Sequence, residues 1–192
     1  MADRHFVDGE LVSEAAQVVV DKLKANRRFL TDEEYGVDLD NIVVSCVDVA
    51  LIYSLNGRQH VLMGYRTNEP YKGGWALPGG RMFVGESFGD TAQRHVKKNT
   101  GLVLDPERFK FVRADSWVWS RREQPPADHG CHMLGVTVFT LLNNQEYSPA
   151  FSPRDDLSEL KWMKCTDAGL DKMIHPAHRN AVNDILNGRF DR

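Results

Sequence analysis

Two arginines and a pair of glycines carry the first hint of chemistry. Arg66 ends the run Tyr65-Arg66-Thr67-Asn68-Glu69-Pro70, and Arg81 directly follows Pro78-Gly79-Gly80. A guanidinium presents a planar fork of donors that matches phosphate oxygens. A Pro-Gly-Gly break leaves backbone with little side-chain cover. Two such forks beside bare backbone suit a diphosphate; the plain alternative is a pair of solvated arginines. Asp48 stands inside the apolar run Val47-Asp48-Val49. A carboxylate there costs free energy unless something pairs with it, either a ligand or a buried hydrogen bond. Asp155, Asp156 and Glu159 lie in a late acidic loop, where a carboxylate can activate water or simply face solvent. His129 and His132 flank Cys131, but no second pair of ligands stands at a zinc spacing. Trp117 and Trp119 are two apart on one expected strand and so share a face, where they either stack on a base or sugar or pack a core.

The stretch that has to position these groups runs from Trp75 to Leu104. It reads as strand, loop and helix. Ser87-x-x-Asp90 is a helix-capping pattern, Phe88, Ala92 and Val96 recur every fourth residue as an apolar stripe, and Gly101 closes the helix.

This stretch resembles the Nudix box, G-x5-E-x7-R-E-U-x-E-E-x-G-U with U apolar. Counting from Gly80, Glu86, Arg94, Val96, Gly101 and Leu102 fall on their places. Where the pattern has Glu-U-x-Glu-Glu, this chain has His95, Val96, Lys97, Lys98 and Asn99. The resemblance implies an α/β fold, an α/β/α sandwich around a mixed sheet. It implies that Glu86 and Arg94 pair to tie the loop to the helix. It also implies that Mg²⁺ or Mn²⁺ would be held by carboxylates at positions 95, 98 and 99, with the carbonyl of Gly79, leaving Glu86 as the remaining acidic ligand. Hard cations want several oxygen donors, which an imidazole, an ammonium and an amide do not supply. The bland reading of positions 95, 98 and 99 is a solvated helix face with one semi-exposed histidine. The run R-T-N-x-P followed by A-L-P-G-G-R is similar to the GDP-mannose mannosyl hydrolase branch. There the arginines matching Arg66 and Arg81 bind the diphosphate and help the leaving group, and the acid matching Asp48 lies beside the substrate. The branch's general base, a histidine five residues before a strand Trp, corresponds to Leu157, counted back from Trp162. Asp156 is the nearby group that would replace it.

Composition narrows the class. The chain has 192 residues, 42% hydrophobic and 27% charged, with a net charge of −3. That suits one soluble domain and gives no bulk electrostatic case for nucleic acid or membrane. No apolar run approaches a membrane span, and the first residues lack the apolar core of a signal peptide. Cys46, Cys131 and Cys165 are too few and too scattered for a disulfide framework, so buried thiols in a cytoplasmic protein are expected.

Residues 1–40 read as an N-terminal extension, with a helix over about 12–29 burying Ala15, Val18, Val19 and Leu23, then an acidic turn over 31–40. The main domain is expected over 41–192. Strands are expected over 42–53, 59–66, 75–77, 109–120, 131–142 and 159–164. A hairpin falls at Asn56-Gly57, and a last helix starts at Pro176.

The functional expectation is a Nudix-type hydrolase acting on a nucleoside diphosphate linked to another moiety, such as the nucleotide sugar GDP-mannose. Arg66, Arg81 and Asp156 would act in catalysis, and Asp48, Arg66, Arg81 and Lys98 would bind substrate. Mg²⁺ or Mn²⁺ would be needed if it turns over, and otherwise no cofactor. The competing expectation is a pocket that binds such a ligand without hydrolysing it, with Lys98 standing near the cation's position. The N-terminal extension is expected to pack on the main domain or to build a homodimer.

Overall fold

The computed structural model describes residues 6–7, 10–11, 14–151 and 157–190. Two short strands, β1 (Phe6–Val7) and β2 (Glu10–Leu11), pair antiparallel ahead of helix α1 (Glu14–Asn26). Helix α2 (Asp32–Asn41) follows where an acidic turn was expected. The reason lies in Thr31-x-x-Glu34. The Thr31 hydroxyl accepts from the Glu34 N–H at 3.2 Å, and the Glu34 carboxylate accepts from the Thr31 N–H at 2.9 Å. That capping box, with Asp32 and Glu33 in the first turn, suits a helix start. The expected face of α1 is also corrected. Val18, Val19 and Leu23 are exposed, and among the described side chains of α1 Val20 is the buried one. Ala15 lies among residues whose side chains are not described.

The sheet is built on β3 (Val44–Leu55), a β-branched run with one side chain in two on each face. Asn56 and Gly57, both with positive φ, turn it into β4 (Arg58–Arg66). The β3–β4 ladder runs only from Leu55↔Arg58 to Ile52↔Val61. Beyond that point the two strands part, and the chain from Trp75 to Arg81 fills the gap. β5 (Trp75–Ala76) pairs with Gly64 and Tyr65 of β4, whereas β6 (Gly79–Arg81) pairs with Cys46, Val47 and Asp48 of β3. The crossing is made at Pro78, whose carbonyl accepts from the Val49 N–H at 2.8 Å.

Helix α3 (Phe88–Thr100) comes next, capped by a reciprocal Ser87–Asp90 box and closed by left-handed Gly101. β7 (Lys110–Trp119) and β8 (Cys131–Leu141) form a long antiparallel pair, and β8 lies parallel to β3. β9 (Leu157–Lys164) pairs with β4, followed by the short α4 (Cys165–Ala168) and the terminal α5 (Pro176–Leu186). The mixed sheet therefore has the order β5-β4-β3-β8-β7, with β6 on β3 and β9 on β4.

Two cores follow from the alternation along β3. Val47, Val49 and Leu51 pack with Ala92 and Val96 of α3. Ala50 and Ile52 pack with Ala181, Val182 and Ile185 of α5. Helices thus cover both faces, as the sandwich expectation requires. Phe88 departs from the expected stripe: at the first position of α3 it is 37% exposed, whereas Ala92 and Val96 are buried. A third cluster of Leu39, Val44, Cys46 and Cys131, with Tyr35 and Trp119, docks α2 against the ends of β3 and β8. Arg122, almost fully buried, fixes this docking by donating to Asp40 at 2.7 Å and to the Gly130 carbonyl at 2.9 Å. All three cysteines are buried and free.

Candidate functional site

On the α5 side of the sheet, where β3 and β4 part, lies a cavity of about 210 Å³. Its lining includes Asp48 and Cys46 of β3, Arg66 at the end of β4, Gly79 and Arg81 of β6, and Trp117 and Trp119 of β7. The splay of the strands explains why Arg66 and Arg81 line one cavity: β4 carries Arg66 to it, and the Pro78 crossover brings Arg81 in from β6. Gly79 is required here for close approach, because a side-chain carbon would collide with the Asp48 carboxylate and the Val47 carbonyl.

Arg66 Nε donates to the Pro70 carbonyl at 2.9 Å, which holds the loop over residues 67–74 against the site. Arg81 lies over the ring of Tyr35, 4.2 Å from its centroid. Tyr35 belongs to α2, so the extension supplies a wall of the cavity. Burial raises the Tyr35 phenol, and Arg81 only partly opposes that rise.

Two histidines that sequence reasoning did not single out complete the site. His175 and His178 stand at the start of α5, which is tied to β5 by the His175 N–H donating to the Trp75 carbonyl at 3.1 Å. His178 Nδ1 accepts from the Leu77 N–H at 3.1 Å, which places its proton on Nε2. Nε2 lies 3.2 Å from Asp48 Oδ2, so the carboxylate inside the apolar strand finds its partner here. The alignment falls short of a hydrogen bond, and both atoms are buried without a well-formed one. His175 Nδ1 and the indole N–H groups of Trp117 and Trp119 are likewise buried without partners. The His175 ring sits among Tyr71, Trp117, Trp119 and His178, with centroids 4.8–5.0 Å away. Burial, helped by His178, lowers its pKa to about 4, so it is neutral at physiological pH. Burial, with Asp48 nearby, pushes the Cys46 thiol up to about 12, which rules out a thiolate nucleophile. The sequence signal for the histidines was His175-Pro-Ala-His178, two rings three apart at a helix start.

The loop–helix motif lies on the other face. Arg94 Nε and Nη2 donate to the two oxygens of Glu86 at 2.8 and 2.7 Å, as expected. Oε2 also accepts from the Thr91 hydroxyl at 3.0 Å and the Phe83 N–H at 3.1 Å. Burial raises the Glu86 carboxyl, but these hydrogen bonds together hold it below its usual value. The helix face at 95, 98 and 99 is corrected: His95 and Asn99 are buried and only Lys98 is exposed. His95 fits because Gly80 leaves room for its ring, with Nε2 3.2 Å from Arg94 Nη1 and 3.4 Å from the Arg81 carbonyl. Burial, then Arg94, lowers the pKa of His95 to about 4.

The residues around this motif do not fit a hard divalent cation. Both oxygens of Glu86 are taken by donors, His95 faces a guanidinium, and Asn99 offers one amide oxygen. Among the described residues no group of three or more His, Cys, Asp or Glu can hold a metal ion. Of the expected site residues, Asp48, Arg66, Gly79 and Arg81 come together. Glu86 and Lys98 are outside the cavity lining, and Asp156 lies outside the described residues. Leu157 is buried at the start of β9. Among the described residues no helix is long and apolar enough to cross a membrane.

A segment of 72 residues is 38% identical to the mouse and human proteins named 8-oxo-dGDP phosphatase NUDT18, covering 36% of this chain and 22% of theirs. A segment of 78 residues is 30% identical to the low-salt glycan biosynthesis protein Agl8 of Haloferax volcanii, covering 41% of this chain and 47% of that one. The chain thus spans less than half the length of these curated relatives. The NUDIX domain of Shewanella oneidensis NrtR, solved with ADP ribose, superposes with a TM-score of 0.59 at 19% identity, over 83% of this chain and 99% of that one. A MutT NUDIX hydrolase from Burkholderia pseudomallei gives 0.58 at 19% identity, over 76% and 99%. Residues 45–185 match the NUDIX domain, and with the Glu86–Arg94 pair closing its loop onto α3, the chain belongs to the Nudix family.

Proposed function

We propose that this protein binds a nucleoside diphosphate linked to a second moiety, with a nucleotide sugar such as GDP-mannose as the leading class, and that it holds the ligand without metal-dependent hydrolysis. The observation that supports this is the shared cavity. Two guanidiniums, Arg66 and Arg81, line it together with the rings of Trp117, Trp119, Tyr71 and Tyr35 and the Asp48–His178 pair. Guanidinium forks suit the diphosphate, aromatic faces suit a base or a sugar ring, and Asp48 accepts from a ligand donor. No divalent cation enters this scheme, because the groups that hold one in the family are replaced by His95, Lys98 and Asn99.

The second reading is hydrolysis of the same ligand with Mg²⁺ or Mn²⁺, Arg66 and Arg81 stabilising the leaving group and Asp156 activating water. What favours it is the 38% identity of one segment to proteins named phosphatases. The ligand is a small molecule in either case, and a net charge of −3 gives no bulk electrostatic attraction for nucleic acid or membrane. A homodimer through the exposed Val18, Val19 and Leu23 of α1 is the assembly we propose.

The test is calorimetric titration of a panel of nucleoside diphosphate sugars in EDTA, paired with product analysis in Mg²⁺ and Mn²⁺. Binding in EDTA with no product formed is the expected outcome. Turnover that requires the metal would select the hydrolase, and a panel with no binder would reject the pocket assignment.

A further inference from the structure

Helix α2 is fastened to the main domain by a buried cation, and the fastening runs on into the segments that line the cavity. Arg122 donates to Asp40 Oδ1 of α2 at 2.7 Å. Within its own loop, over 121–130, it donates to the carbonyls of Gln124, Pro125 and Gly130 at 3.1, 3.3 and 2.9 Å. His129 Nδ1 of the same loop lies 3.1 Å from Asp40 Oδ2. Loop and helix also meet at Gly36, where an added side-chain carbon would collide with the Pro125 carbonyl, so the close approach requires glycine.

Both partners in this docking reach the cavity. Helix α2 contributes the ring of Tyr35, and the loop contributes Gln124. The neighbouring Glu123 carboxylate accepts from the Glu69 N–H at 2.6 Å, which joins the loop to residues 67–74 and to Tyr71 of the lining. Arg81 lies over the Tyr35 ring at 4.2 Å, with the Phe83 ring 5.5 Å away. A ring attracts a guanidinium without taking the paired hydrogen bonds that a carboxylate would take, which leaves donors for phosphate oxygens.

We propose that Tyr35 belongs to the ligand site and that Arg122 is its positioning residue: docking α2 through Arg122 and Asp40 holds the Tyr35 ring against Arg81 and so sets the affinity for the ligand's phosphates. The extension is then part of the binding unit. The inference rests on reading the cavity as a nucleoside diphosphate site. Linkage makes the effect reciprocal. If docked α2 raises affinity, bound ligand stabilises the docking by the same factor.

The experiment titrates GDP-mannose and UDP-glucose into the full chain in EDTA by calorimetry, and follows amide hydrogen exchange over residues 32–41 with and without the nucleotide sugar. Wild type is expected to bind, and exchange in α2 to slow on binding. Tyr35→Phe, which keeps the ring, is expected to bind about fivefold more tightly than Tyr35→Leu. Arg122→Gln is expected to lose affinity by about fivefold or more and to lose the slowing of exchange. Asp40→Asn weakens the same contact from its more exposed end and carries the test if Arg122→Gln does not fold. An Arg122 that only supports the fold would lower the melting temperature and leave affinity and the ligand-dependent exchange of α2 unchanged. That result, or equal binding by Tyr35→Phe and Tyr35→Leu, overturns the inference and leaves the cavity assignment standing. A wild type that binds neither nucleotide sugar overturns both.

Discussion

The cavity and the loop–helix motif share β6 as a common wall, yet they treat buried polar atoms in opposite ways. Around the cavity, Asp48 Oδ2, His178 Nε2, His175 Nδ1 and the indole nitrogens of Trp117 and Trp119 are buried without a formed hydrogen bond. In the motif, Glu86 accepts from Arg94, Thr91 and the Phe83 backbone and is approached by Arg27. Among the described residues, only Asn99 Oδ1 is left over there. Unmet polar groups cost free energy in an empty protein and are answered when a ligand enters. Fully met groups have nothing left to offer a ligand and serve to hold shape. The cavity and the family's signature motif thus differ in what they leave for a ligand, although Arg81 borders both: its carbonyl accepts from Arg94 Nη2 at 2.9 Å and its guanidinium lies 5.5 Å from the Phe83 ring centroid.

Removing the motif's central cation should produce the largest effect. Arg94→Ala strips Glu86 of two hydrogen bonds, leaves a buried carboxylate short of charge, and uncovers the Phe83 ring. Breaking a buried pair from one side costs about 3 kcal/mol or more. Urea denaturation should show that loss. If the comparison is right, the variant that remains folded at low temperature should still bind ligand in the cavity with near wild-type affinity.

Acid should act on both regions, and two histidines tell them apart. His95 in the motif and His175 at the cavity both have folded pKa values of about 4 against an ordinary 6.5. A folded value below the unfolded one means that the unfolded chain binds the proton more readily. The stability each contributes is therefore complete above pH 6.5 and is lost as pH falls towards about 4, by as much as about 3 kcal/mol per ring. Melting temperature should fall over that window. His95→Gln and His175→Gln should each flatten part of the fall, and a variant with no effect on the profile would show that its ring stays solvated.

Much of the fold was legible because local signals agreed with the global one. Asn56-Gly57 gave the hairpin, Ser87-x-x-Asp90 and Gly101 gave both ends of α3, and Glu86–Arg94 fixed the register of the motif. The second N-terminal helix was legible in the same terms, since Thr31-x-x-Glu34 is another capping box, but its acidic composition read as a turn. His95 and Asn99 were misjudged by residue type. With Thr91 they repeat every fourth residue beside Ala92 and Val96, so periodicity alone would have buried them. Tyr35, His175 and His178 were not legible at the site at all. They reach it from opposite ends of the chain through the docking of α2 and the bridge between Ile174 and Trp75, contacts that no local pattern encodes.

On the binding side, Arg81→Ala should lower affinity for a nucleoside diphosphate by ten- to a hundredfold, about 1.5–3 kcal/mol for charge-assisted hydrogen bonds. Stability should change little, because the groups around Arg81 are the rings of Tyr35 and Phe83 rather than a buried carboxylate. Calorimetry and a melting curve on the same sample separate the two effects. A loss of stability without loss of affinity would reassign Arg81 to the docking of α2.

The smallest effect is expected at Lys98, and it tests the comparison most directly. Lys98 is exposed on α3, which packs against the Val47 and Val49 face of β3, whereas the cavity opens on the Asp48 face. Between them stand β6 and the His95 ring packed on Gly80. An exposed ammonium acts mainly through solvent, where charge is screened over about 8–10 Å at ordinary salt. Lys98→Glu reverses that charge, so it is the strongest single change available at the position. Calorimetry should find affinity altered by less than about twofold at physiological ionic strength, and by less still at high salt. A tenfold loss would mean that the phosphate end of the ligand reaches past the edge of β6 to α3. The two faces would then work as one site, and Lys98 would join Arg66 and Arg81 in holding the diphosphate.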